Sequence, residues 1–260
     1  MRIAMGIEYD GSHFCGWQAQ KEDVPTVQEN LQAGLSRVAN VEVKVICAGR
    51  TDAGVHACGQ VIHFDCDSER SERSWVYGTN ANMAPSVSVL WAKPVQEDFH
   101  ARFSALRRRY RYVIATRSIR PTFAAGRVSW DHRTLDVQRM QQAAQYLLGE
   151  HDFNAYRAAA CQAHSSVRTL YRLNVQRRED LIIIDLEANA FLQHMVRNIA
   201  GVLMAIGAGE QEVGWSRDVL ETCDRTQGGI TAPPYGLYFM GVEYPPEFAI
   251  PQIPPSQLVW

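Results

Sequence analysis

The chain lacks most of the signals that place a protein quickly. No run of about 18 apolar residues is present, so no membrane-spanning helix is expected. The opening stretch Met1-Arg2-Ile3-Ala4-Met5-Gly6 alternates at once and carries no apolar h-region, which points to a cytoplasmic protein. The six cysteines, Cys15, Cys47, Cys58, Cys66, Cys161 and Cys223, include no C-x-x-C pair and are expected to stay reduced. Walker A, G-x-G-x-x-G and G-x-S-x-G motifs are missing. So is H-x-E with a downstream P-C-x-x-C, which disfavours a zinc nucleobase deaminase. Finally, residues 101–130 contain no Asp or Glu at all.

What that acid-free stretch does contain is eight arginines: Arg102, Arg107, Arg108, Arg109, Arg111, Arg117, Arg120 and Arg127. The net charge of −2 hides this asymmetry, because the remaining residues hold 18 basic against 28 acidic side chains, a net −10. A charge run is commonly only a solvated face. Here Phe103, Tyr110 and Tyr112 interleave with it, and Arg pairs with phosphates bidentately while aromatics accept unstacked bases. This composition leaves a nucleic-acid contact open beside the solvated-face reading, with Arg102, Arg107, Arg108 and Arg109 as candidate contacts.

One carboxylate stands out. Gly49-Arg50-Thr51-Asp52-Ala53-Gly54-Val55-His56-Ala57 puts Asp52 in a glycine-bracketed loop between two strand-like runs, the alternating Val41, Val43, Val45 and Cys47 before it and Val61-Ile62-His63-Phe64 after it. Asp52 is either turn punctuation, since Asp bonds nearby backbone, or a positioned nucleophile. Arg50 is either its surface partner or a ligand-facing cation. The nearby Cys47, Cys58, Cys66, His56 and His63 fit no usual zinc spacing. A metal hydrolase built on residues 47–66 is therefore a minor alternative, and no metal is expected.

Periodicity predicts strands over 2–9, 41–47, 60–65 and 87–91, with helices over 27–38, opened by the Thr26-x-x-Glu29 capping box, and 71–78. It then predicts strands over 107–115, 169–177, 181–187 and 237–244, with helices over 135–148, 190–206 and 213–223. Each half reads strand, helix, strand, strand, helix, strand, a ferredoxin-like order written twice. The expected class is α+β, with two ferredoxin-like halves over 1–104 and 105–245. Largely antiparallel sheets with helices on one side would form a central cleft. Residues 245–260 hold five prolines in sixteen, so an extended tail is expected over 246–260.

The 190–206 helix is apolar nearly all round, and such helices are buried. Arg197 lies about 200° around it from Met195, away from the Phe191/Met195/Ile199 stripe. It is either solvent-facing or a buried cation that needs an anion, for which Asp52 is a candidate. Tyr110 and Tyr112 share a strand face. Core packing suits Tyr112, and stacking on a base is open to Tyr110.

The Asp52 loop resembles the active-site motif of the tRNA pseudouridine synthase A family. The likeness extends to Tyr9-Asp10-Gly11-Ser12-x-Phe14-x-Gly16-Trp17-Gln18-x-Gln20, Phe99-His100-Ala101-Arg102-Phe103-Ser104, Arg109-Tyr110-Arg111-Tyr112 and Gly149-Glu150-His151-Asp152-Phe153. It continues in Asn189-Ala190-Phe191-Leu192-x-His194-Met195-Val196-Arg197-Asn198-Ile199 and Ala232-Pro233-Pro234-x-Gly236-Leu237. These blocks cover residues 1–245 in order. The segment Met83-Ala84-Pro85-Ser86-Val87 departs from the family's Leu-Pro-acidic pattern.

The resemblance implies the pseudouridine synthase fold and conversion of uridine to pseudouridine at positions 38, 39 and 40 of the tRNA anticodon stem-loop, with base flipping. By the same resemblance Asp52 is the nucleophile, Tyr110 stacks on the target base, and Arg197 pairs with the aspartate. Leu237 lines the pocket, and Arg50 takes the flipped base's place in the RNA. Attack at C6, attack at C1′ and a glycal route all stay open. The resemblance also implies a homodimer, no cofactor and no metal. A non-catalytic RNA-binding protein is the alternative.

Overall fold

The computed structural model describes residues 1–21 and 24–252. In chain order the first elements are β1 (Arg2–Tyr9), α1 (Val27–Ala39), β2 (Ile46–Cys47), β3 (His56–Asp65), α2 (Glu72–Asn80) and β4 (Val87–Val95). Then come β5 (Arg107–Thr116), β6 (Ser129–Asp131), α3 (Val137–Gln145), β7 (Gly149–Asp152), β8 (Val167–Arg178), β9 (Leu181–Ala188), α4 (Met195–Gly207), α5 (Trp215–Thr222) and β10 (Leu237–Glu243). The chain forms two compact units. Unit 1 is Met1–Leu106 together with the segment from Tyr238 onward, and unit 2 is Arg107–Leu237.

In unit 1, β1 is the centre of an antiparallel ladder with β3 on one side and β4 on the other. β2 joins the far edge of β3 through Ile46 and Cys47. Thr26 caps α1 as the capping box predicts, its hydroxyl accepting from the Glu29 amide while bonding the Glu29 carboxylate. Val27, Leu31 and Leu35 are buried on α1, and α2 buries Trp75 edge-on to Phe64, with ring centroids 5.3 Å apart. Ile3, Met5 and Ile7 on β1 complete a closely packed core.

In unit 2, β5, β9, β8 and β7 form an antiparallel ladder in that order, and β6 runs parallel to β5. Asp136 caps α3 by accepting from the amides of Gln138 (2.8 Å) and Arg139 (3.1 Å). α4 is buried at ten of its thirteen positions, as its apolar composition requires.

The structure corrects the sequence reading at four places. The strand expected over 41–47 shrinks to Ile46–Cys47, because the amides of Val43 and Val45 are taken by Ser36 Oγ (2.9 Å) and Gln32 Oε1 (3.1 Å) of α1. α4 starts at Met195 rather than 190, since His194 takes a left-handed conformation (φ 62°) that breaks the helix there. The last strand belongs to unit 1 rather than to a 105–245 half, because Tyr238 and Phe239 pair in parallel with His56 and Ala57 of β3. Nor is the tail simply extended. Residues Pro246–Phe248 turn, Phe248 packs edge-on to Phe99 at 5.2 Å, and Lys93 Nζ donates to the Ala249 carbonyl at 2.7 Å. The remainder of that tail, 253–260, lies outside the described residues.

Candidate active site

Asp52 occupies a turn between β2 and β3 whose geometry is fixed by three separate stretches of unit 1. The turn is closed by the Val55 amide, which donates to the Asp52 carbonyl at 3.1 Å, with Gly54 at φ 79°, a value that glycine adopts without strain. From β1, Tyr9 reaches the turn through a fully buried hydroxyl pair, Tyr9 Oη to Thr51 Oγ1 at 2.8 Å. Burial pushes the Tyr9 phenol well above its ordinary range, so it stays protonated. The second stretch follows β1. The buried Trp17 donates its amide to the Thr51 carbonyl at 3.0 Å. Gly16 (φ 97°) lies so close that a β-carbon there would be 3.1 Å from Thr51 O and 3.2 Å from Ala53 N. The third anchor is Gln60 of β3, fully buried, whose amide group bonds both Gly49 N (3.3 Å) and Gly49 O (2.6 Å). Asp52 itself is half-buried and Arg50 exposed. Two of the three anchors, Tyr9 and Trp17, thus come from the Tyr9–Gln20 block, far from the loop in sequence, and the third, Gln60, from the strand that follows it.

Unit 2 carries the other candidates. Tyr110 on β5 is half-buried and meets the Phe191 ring nearly perpendicularly, with centroids 4.9 Å apart. Arg197, in the first turn of α4, donates from Nε to the Ala232 carbonyl at 2.8 Å, and the Ala232 amide donates back to the Arg197 carbonyl at 3.1 Å. The next residue of that loop is tethered too. Tyr112 Oη donates to the Pro233 carbonyl at 2.8 Å and shares a hydrogen bond with Ser129 Oγ at 2.5 Å. Burial raises the Tyr112 phenol, against weaker opposing effects of Ser129 and the Arg197 charge. Leu237, just past this loop, is buried. Tyr112 packs in the core as expected, but its tether to the loop beside Arg197 was not foreseen. The two-residue period that places it facing inward does not reveal a partner 121 positions away.

The arginine-rich strand is less uniform than its composition suggests. Arg107 pairs with Glu187 (2.8 Å) and lies over the Tyr171 ring at 4.4 Å. Arg108 donates to the Asn189 carbonyl at 2.8 Å, and Arg111 makes a bidentate pair with Asp185 at 2.8 and 3.1 Å. These side chains brace β5 as well as adding charge. In unit 1, Arg102 lies over the exposed Phe103, which stacks on His100 at 4.4 Å. His56 and His63 are structural: Nδ1 of each is the acceptor for a backbone amide, from Gly11 and Ala101 respectively, both at 3.1 Å. Among the described residues, no group of three or more His, Cys, Asp or Glu side chains could hold a metal ion, and no helix is long and apolar enough to cross a membrane.

A family model described as tRNA pseudouridine synthase matches residues 5–104 and 143–245. The chain belongs to the tRNA pseudouridine synthase family. Relatives within this family are similar over almost their whole length. The tRNA pseudouridine synthase A of Alcanivorax borkumensis is 55% identical, covering 97% of this chain and 95% of the relative. That of Nitrosococcus oceani is 56% identical over 100% of both, and that of Pseudomonas aeruginosa is 56% identical over 96% of this chain and 88% of the relative. The α+β pseudouridine synthase fold expected from the sequence blocks is thereby confirmed. Of the family-motif residues, Asp52, Arg50 and Arg102 lie in unit 1, whereas Tyr110, Arg107, Arg108, Arg109, Arg197 and Leu237 lie in unit 2.

Proposed function

We propose that this chain isomerises uridine to pseudouridine at positions 38, 39 and 40 of the tRNA anticodon stem-loop, with the Asp52 carboxylate as nucleophile. Family membership supports the conversion of uridine in tRNA; the positions and the residue roles are our reading. The observation that carries the assignment of Asp52 is its turn, held by Tyr9, Trp17 and Gln60 from three stretches of chain. A nucleophile held in place avoids the reorganisation that a mobile loop would undergo at each turnover. Tyr110 stacks on the target base, Arg197 supplies the cation for the carboxylate, Leu237 lines the base pocket, and Arg50 fills the space the base leaves.

The energetics are consistent with base flipping. Extruding a stem uridine costs a few kcal/mol, least where pairing is weak. Stacking on an aromatic returns about 1–3 kcal/mol. Arg102, Arg107, Arg108 and Arg109 add phosphate contacts, which makes affinity fall with salt. In the reaction the glycosidic N–C bond breaks, a C–C bond to C5 forms, the C5 proton leaves and the former glycosidic nitrogen gains one. The change is redox-neutral and releases no group, so it calls for no cofactor or metal. A cytoplasmic homodimer acting on the anticodon stem-loop completes the proposal.

The test compares wild type with Asp52→Asn on tRNA transcripts, mapping pseudouridine and measuring tRNA affinity together. The expected result is pseudouridine at 38–40 with wild type, and none with Asp52→Asn at near-normal affinity. Pseudouridine formed by the variant would reject the nucleophile. Tight tRNA binding by a wild type that makes no pseudouridine would favour the RNA-binding alternative.

A further inference from the structure

The connection between β5 and β6, residues 117–128, is ordered from within. Arg117 folds inward and donates from Nε to the Ile119 carbonyl (2.6 Å) and from Nη2 to the Arg120 carbonyl (3.3 Å), while Trp130 Nε1 donates to the Arg117 carbonyl at 2.8 Å. Backbone bonds from Ala125 to Thr122, and from Arg127 and Val128 to Ala124, close the rest, with Gly126 at φ 76°. These bonds place two large apolar side chains in water. Ile119 is 70% exposed and Phe123 fully exposed. Phe123 forgoes the burial that normally stabilises a phenyl ring, although the loop around it is well bonded.

The composition of that loop indicates what covers the ring. Arg117, Arg120 and Arg127 lie within the same loop, and no acidic residue occurs anywhere from 101 to 130. An exposed ring among arginines suits an unpaired nucleobase flanked by phosphates, the ring stacking and the guanidinium groups pairing with the backbone. A second copy of this chain meeting the loop symmetrically would set these arginines against their own counterparts, an arrangement that like-charge repulsion opposes.

We infer that the 117–127 loop is an auxiliary RNA-docking element in which Phe123 stacks on an unpaired base of the tRNA and Arg120 contacts the adjoining phosphates. This rests on tRNA being the substrate. Tyr110 and Arg117 are separated by the six β5 residues 111–116, roughly 20 Å of extended chain. The loop therefore engages a part of the tRNA remote from the base stacked on Tyr110, and it acts on substrate affinity.

The experiment measures tRNA affinity for wild type, Phe123→Ala, Phe123→Trp and Arg120→Ala over a range of salt, with sedimentation of each protein alone. Phe123 touches nothing that folds the chain, so these variants should remain folded. The expected results are an affinity lowered about tenfold in Phe123→Ala and retained in Phe123→Trp, with tryptophan emission of the latter quenched by tRNA. Arg120→Ala should lower the salt slope by about one. Affinity within twofold of wild type for Phe123→Ala, with no quenching in Phe123→Trp, overturns the inference. So does a fall in sedimenting mass with tRNA binding unchanged, which would assign the loop to contact between copies. A wild type that does not bind tRNA would instead overturn the substrate reading together with this one.

Discussion

Tyr112 shows how a residue can be assigned correctly to the core and still matter to the site. Its ring is fully buried, and its hydroxyl is the donor for the Pro233 carbonyl. Replacing it with Phe keeps the packing and leaves that carbonyl only the longer bond from Ser129 Oγ at 3.4 Å, a change worth about 1 kcal/mol. Ala232, which receives the Arg197 guanidinium, is the preceding residue, so the loop's loss of definition reaches Arg197 directly. Tyr112→Phe should therefore lower both the melting temperature and the turnover number while tRNA affinity stays close to wild type. Calorimetry and steady-state kinetics check this, and an unchanged turnover number would show that the tether serves stability alone. The residues proposed to carry the chemistry, Asp52, Tyr110 and Arg197, were singled out by their motifs. The partners that fix them were not, because Tyr9–Thr51 and Tyr112–Pro233 are contacts across long chain separations that no local period encodes.

At the scale of elements, side chains and backbone compete for the same hydrogen bonds. Val41, Val43 and Val45 alternate as a strand would, and Val43 and Val45 are buried, yet Ser36 and Gln32 occupy their amides and keep them out of the ladder. Gln32→Leu removes the acceptor from the Val45 amide. The expected cost is about 1–3 kcal/mol, with faster hydrogen exchange at Val45 specifically; exchange unchanged there would show that the bond is dispensable. Strands β1, β4, β5, β8 and β9 and helices α1, α2, α3 and α5 were close to their expected spans because each has one clear apolar face. The short strands β6 and β7 were missed, since three or four residues carry too little pattern to register. The early start expected for α4 came from extending its apolar stripe back to Phe191 across His194, where the left-handed backbone intervenes.

For the molecule as a whole, acid sensitivity is built into one buried ring. His63 accepts the Ala101 amide on Nδ1 and is held down to about 4, first by burial, then by the charges of His100 and Arg2, against Asp65. The folded protein keeps this ring neutral while the unfolded chain protonates it near 6.5. Its contribution is therefore fully present above about pH 6.5 and is lost as pH falls toward 4, a change of about 3 kcal/mol. His100 is lowered as well, again chiefly by burial, and acts in the same direction. His63→Gln should flatten the fall in melting temperature between pH 6.5 and 4 relative to wild type. Parallel melting profiles for the two proteins would contradict this.

The pairing of β10 with β3 also bears on how the molecule is made. Unit 2 is one continuous stretch, whereas unit 1 borrows a strand that the ribosome delivers only after all of unit 2. The turn holding Asp52 leads straight into His56 and Ala57, the two β3 residues that wait for Tyr238 and Phe239. During synthesis the later-encoded unit can close first, and the nascent first unit keeps an open sheet edge until then. The Asp52 loop thus reaches its final support only when the chain is nearly finished, so a translation product stalled before β10 is left with an unfinished first unit.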